Sequence, residues 1–141
     1  MQTVVEMVVG LFLGIGFILL VRLSRSYARE KRAFAIGLVV TALIYVGLAF
    51  FSDSRTWIPI ELAGVAVFAV FGWLGLKRSG WFLAAGWALH PLWDAGLHDY
   101  STQFVPHWYI GACVGFDLLV AVYIGFREVN FPGRNLGTKP S

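Results

Sequence analysis

Charge is scarce in this chain and cysteine nearly absent. Only 13% of the 141 residues are Asp, Glu, Lys or Arg, while 58% are apolar. A soluble domain of this length could not hide so much apolar surface, so lipid is the solvent that fits the composition. Cys113 is the one cysteine, which excludes an intramolecular disulfide and leaves the redox compartment unread. The opening residues, Met1-Gln2-Thr3-Val4, carry no Lys or Arg ahead of the apolar run. A cleavable signal peptide would have a charged start, so this segment is expected to stay as a first span. Internal repeats and low-complexity tracts are missing as well. The length allows one small helical domain and no separate soluble module.

What the chain does have is five long apolar segments, approximately Thr3–Val21, Ala33–Phe51, Trp57–Leu76, Trp81–His98 and Trp108–Phe126. Each approaches the ~20 residues that cross a hydrocarbon core of about 30 Å. The expected fold is all-α, a bundle of five transmembrane helices. Residues 1–129 form the membrane domain, and residues 130–141, with Pro132, Gly133, Gly137 and Pro140, form a short cytoplasmic tail. The fourth segment is the shortest and contains Pro91, which is expected to kink it beside His90.

The basic residues set the orientation. Arg22, Arg25, Arg29, Lys31 and Arg32 lie between segments one and two, and Lys77 and Arg78 between three and four. Arg127, Arg134 and Lys139 follow segment five, so ten of eleven basic residues share one side. The positive-inside rule makes that side cytoplasmic and puts the N-terminus outside. The expected location is the cell inner (plasma) membrane. The pI near 9.3 is accounted for by this topology and implies no nucleic acid partner. Trp57, Trp81 and Trp108 stand at span ends, as interfacial anchors do. Gly10-x-x-x-Gly14 and Gly111-x-x-x-Gly115 allow close helix approach.

Ionisable groups at membrane depth are costly and tend to mark function. On a helix, residues four apart share a face. His90, Asp94 and His98 therefore make one stripe on segment four, and Tyr109, Cys113 and Asp117 make one on segment five. Folding these consecutive segments into an antiparallel hairpin puts His98 level with Tyr109, Asp94 with Cys113, and His90 with Asp117. Glu61, near the outer end of segment three, falls close to the level of Asp94. Glu6 is expected to reach outer water. Thr41 and Tyr45 lie near mid-depth, and Trp87 and Trp93 flank the stripe as walls for a flat ligand or as lipid contacts. Nearly all the membrane-depth polarity falls in the outer half or at the midplane. That asymmetry points to a pocket opening outward or laterally and argues against a continuous ion channel.

The strings His90-Pro91-Leu92-Trp93-Asp94…His98-Asp99 and Val105-Pro106-His107-Trp108-Tyr109…Cys113…Asp117 resemble an uncharacterised bacterial family of small integral-membrane proteins. The resemblance covers the last third of the chain and implies no particular activity. A looser, architectural similarity is to emopamil-binding-type sterol isomerases. Those enzymes use a small helical bundle with acidic residues facing an intramembrane pocket, and they place His and Glu at i and i+4, as His90 and Asp94 are placed here.

Three readings follow. In the first, His90 and Asp117 form a buried acid/base pair for proton-transfer chemistry, isomerisation or cyclisation, on a lipophilic small molecule. Asp94 orients or stabilises a developing cation, and Glu61 is a supporting carboxylate. In the second, Asp94, His98 and His107 bind a transition metal (zinc, copper or iron) for oxidoreductase chemistry or metal handling. His90 lies ~12 Å deeper than His98 by helix rise, so a shallow site is the easier geometry. The third is a non-catalytic subunit or ligand-binding module, whose polar residues specify packing in a homo-oligomer or against a partner membrane subunit. Membrane lipid surrounds the protein in all three.

Overall fold

A computed structural model describes residues 1–97 and 104–131. The fold is all-α. Five helices run over Gln2–Arg22 (α1), Tyr27–Phe51 (α2), Ile58–Lys77 (α3), Gly80–Leu97 (α4) and His107–Asn130 (α5), with a 3-10 turn at Arg55–Trp57 leading into α3. Four of them, α1, α2, α3 with its 3-10 turn, and α5, are long and apolar enough to cross a membrane, which describes a multi-pass membrane protein. By contrast, α4 falls short of that apolar standard, because His90, Pro91 and Asp94 interrupt it. The helix nonetheless continues through Pro91, and Gly80, Leu83, Trp87, His90 and Asp94 along it are all buried. A helix whose neighbours cover its polar face does not need a lipid-compatible composition all round.

Two sets of close helix contacts are built on glycine, beside an extensive α2–α3 interface. The first joins α1 to α5 through the two glycine pairs. A Cβ on Gly10 would overlap the Ala112 carbonyl, and one on Gly115 would overlap the Met7 carbonyl. Only glycine lets the backbones come this close. Gly10 meets Ala112 and Gly14 meets Phe116, so α1 and α5 run parallel. The second interface sets α4 between α3 and α5. Gly75 faces Leu83 and Gly64 faces Trp93, while Gly80 faces Glu128 and Gly125 faces Trp81, so α4 is antiparallel to both neighbours. Phe34, Leu38, Phe68, Leu83, Trp87 and Ile124 fill the centre, and Trp87 Nε1 donates to the Phe34 carbonyl at 3.1 Å.

Two helices are longer than their apolar segments suggest. α2 begins at Tyr27 rather than Ala33, and α5 ends at Asn130 rather than Phe126. These extensions fold charged residues into the helices at the basic end. There Glu30, Lys31 and Glu128 are buried. These residues lie just beyond the apolar segments read from the sequence, on the helix ends that those segments left out. The charges tolerate burial because they pair across α2 and α5: Tyr123 donates to Glu30 Oε2 at 3.0 Å, Arg127 to Glu30 Oε1 at 3.3 Å, and Tyr27 to Glu128 Oε1. The tail beyond residue 131 and the connection 98–103, which includes His98, lie outside the described residues.

Candidate functional site

His90 and Asp94 stand one helical turn apart on the covered face of α4. Asp117 projects from the middle of α5 at the same level. His90 Nδ1 lies 2.9 Å from Asp117 Oδ2 and 3.4 Å from Asp94 Oδ2. All three residues are 0–1% exposed. The ring nitrogen is thus hydrogen-bonded to Asp117 and has the Asp94 carboxylate nearby, all three side chains being buried. Helix arithmetic anticipated the His90–Asp117 level. The closeness of Asp94 to the same nitrogen follows from its i+4 position on α4.

Aromatic rings close the site. Phe68 of α3 lies 4.8 Å from the His90 ring, and Tyr45 of α2 lies 5.9 Å from it. Tyr45 also meets Tyr109 at 5.8 Å, which ties α2 to the N-terminal end of α5. Trp93 packs edge-on against Phe68 and covers Gly64. Sequence reasoning did not place Tyr45 or Phe68 in the site. A tyrosine in the middle of an apolar run was the available signal for Tyr45. For Phe68 there was none, because its role depends on how α3 is rotated. Thr41, by contrast, turns its hydroxyl to the Leu38 carbonyl of its own helix.

Glu61 is 2% exposed and shares one face of α3 with Gly64 and Phe68, so it belongs to the covered surface near the N-terminal end of α3. Glu6 is only partly exposed, and its carboxylate rests against Gly111 in the α1–α5 interface rather than standing free in outer water. Cys113 is half-buried one turn before Asp117. Of the shallow set Asp94, His98 and His107, His107 starts α5 on the exposed surface and His98 lies outside the described residues.

Charge balance in the cluster is uneven. His90 Nε2, both Asp94 carboxylate oxygens and Asp117 Oδ1 are buried with no hydrogen-bond partner among the described residues. Two carboxylates face one imidazole, so even a doubly protonated ring leaves one negative charge in excess. Burying an uncompensated charge costs several kcal/mol per ion. A proton held within the cluster or a bound cation relieves that cost. One ligand atom from each of His90, Asp94 and Asp117 can be chosen so that all lie within 4.8 Å of one another, the spacing of a small metal site.

The sequence profile of the family of unknown function DUF6010 matches residues 5–130, and the chain belongs to that family. No curated protein and no solved structure matches it.

Proposed function

We propose that this DUF6010 protein is a five-span inner-membrane protein whose His90–Asp94–Asp117 cluster carries out proton transfer on a lipophilic small molecule, an isomerisation or cyclisation. The count of crossings rests on helix direction. Parallel α1 and α5, with α4 antiparallel to α3 and α5, suit a chain that reverses at every helix. The gathering of Arg22, Arg25, Lys77, Arg78 and Arg127 at one end supports a cytoplasmic location for that end and an outside N-terminus.

The observation that supports the chemical reading is the buried His90 Nδ1–Asp117 Oδ2 hydrogen bond, with the Asp94 carboxylate close by at 3.4 Å and Nε2 left unbonded. Nδ1–H donates to Asp117, which fixes the ring and leaves Nε2 to give and take a proton. Nε2–H protonates an olefinic carbon, and the resulting carbocation loses a proton from a neighbouring carbon back to the cluster. No oxidant or reductant is consumed. Asp94 offsets the developing positive charge, the faces of Phe68, Tyr45 and Trp93 favour a cation, and Glu61 adds a further acid on the outer side.

The test is untargeted mass spectrometry of apolar extracts from membranes containing wild type or His90→Gln. The expected result is a pair of equal-mass compounds whose ratio shifts with wild type, by about 100-fold or more in initial rate once the pair is isolated. Identical extracts from folded wild type and variant would remove the proton-transfer reading and favour a packing or subunit role.

A second reading has its own support in the compact ligand geometry. A divalent transition metal (zinc, copper or iron) seated among His90, Asp94 and Asp117 would neutralise the excess charge. This set replaces Asp94, His98 and His107 as the metal candidate. Elemental analysis of protein purified without chelators decides it: one metal per chain, lost in Asp94→Asn/Asp117→Asn, supports the metal.

A further inference from the structure

At the basic end, away from the His90 cluster, residues of α1, α2, α5 and the α1–α2 connection border an open pocket of about 540 Å³. Arg22, Arg25, Ser26, Tyr27, Glu30 and Arg127 line it. Three guanidinium groups face one carboxylate there, and Glu30 is already engaged by Tyr123 and Arg127. The wall is therefore net positive. Arg127 Nε is buried with no partner among the described residues. Ser26 is the N-cap of α2 and makes no side-chain cap bond, so the first-turn N–H groups on this wall lack a side-chain acceptor. Arg25 holds a left-handed backbone, φ 53°, in the short connection between α1 and α2. Glycine takes that conformation without strain, so an arginine there is retained at a conformational cost.

A second feature lies beside the pocket along α1 and α5. An apolar groove of about 310 Å³ lies between α1 and α5, lined by Ile15, Ile18, Leu19, Leu119, Val122 and Phe126. Tyr123 also lines it and gives its hydroxyl to Glu30 on the cavity wall. Arg22 is one turn beyond Ile18, and Arg127 is one turn beyond Tyr123. The groove therefore runs along the bundle's lipid-facing side and ends at the arginines. An apolar trough beside a positive pocket at the membrane boundary matches one amphiphile: an acyl chain below and an anionic headgroup above.

We infer that this chain binds an anionic phospholipid, with a phosphate in the Arg22–Arg25–Arg127 cavity and an acyl chain in the α1–α5 groove. Bidentate arginine contacts suit phosphate oxygens, and basic pockets between membrane helices favour such headgroups. The site is independent of the proton-transfer reading, since it shares no residue with the His90 cluster.

The experiment is native mass spectrometry of the full chain in detergent, titrated with phosphatidylglycerol, with phosphatidylcholine of the same chains, and with inorganic phosphate. Phosphatidylglycerol is expected to bind at least tenfold more tightly than phosphatidylcholine. Arg22→Gln/Arg25→Gly should remove that preference. Arg25→Gly alone should weaken it about threefold while leaving the melting temperature unchanged or higher, because the strain is released; a purely structural arginine would lower it. Val122→Trp, at an exposed groove position, should weaken phosphatidylglycerol binding without changing the helical content. Equal affinity for the two lipids overturns the inference, as does phosphatidylglycerol binding that survives both the arginine and groove variants. Tight inorganic phosphate binding with no effect of Val122→Trp also overturns it, in favour of a soluble anion.

Discussion

Two buried polar clusters occupy opposite halves of this bundle, and they handle charge in opposite ways. At the basic end, Glu30 receives Arg127 and Tyr123, and Glu128 receives Tyr27. The Arg127 guanidinium also lies 4.8 Å above the Tyr27 ring. In the His90 cluster, two carboxylates lie within 3.4 Å of one nitrogen of His90, and four buried polar atoms lack hydrogen-bond partners among the described residues. The first cluster is built to hold α2 against α5. The second is left short of positive charge, which a protein does not sustain for stability alone. Polar contacts between membrane helices contribute only about 0.6 kcal/mol on average.

That contrast can be broken or sharpened by mutation. The largest effect is expected at Glu30→Leu, which strands Arg127 and should lower stability by about 3 kcal/mol in a detergent-unfolding titration. Adding Arg127→Leu should restore most of the loss. Tyr27→Phe removes a hydroxyl from a buried carboxylate and should cost about 1.5 kcal/mol in the same titration. Asp94→Asn, in the other cluster, should do the reverse. Removing one of two crowded carboxylates leaves the fold unchanged or raises its stability by roughly 1 kcal/mol, while chemistry at the site is lost. A loss of stability at Asp94→Asn as large as that at Glu30→Leu would erase the distinction between the clusters.

The sequence made the two clusters unequally legible. His90, Asp94 and Asp117 stand out because each interrupts an apolar run, and a rise of ~1.5 Å per residue suffices to match levels within a hairpin. The Gly10/Gly14 and Gly111/Gly115 spacings likewise find each other across α1 and α5. Glu30, Lys31, Arg127 and Glu128 look like loop charges, because they sit at the ends of apolar segments beside other basic residues. Their helical and buried character comes from pairing between residues nearly 100 positions apart, Glu30 with Arg127, which no local window contains. Tyr45 and Phe68 were hidden for a related reason. Membership of the site depends on the rotation of α2 and α3 about their axes, and apolar helices with little amphipathic asymmetry do not reveal it.

Whether His90 works through Nε2 is the point on which the functional account rests. The most direct measurement is ¹⁵N NMR of the imidazole in a His98→Gln/His107→Gln background, where His90 is the remaining histidine. The account predicts that Nδ1 carries a proton bonded to Asp117 and that Nε2 exchanges its proton as pH is varied. An Nδ1 without a proton, bound to a metal or accepting from a carboxylic acid, would contradict it.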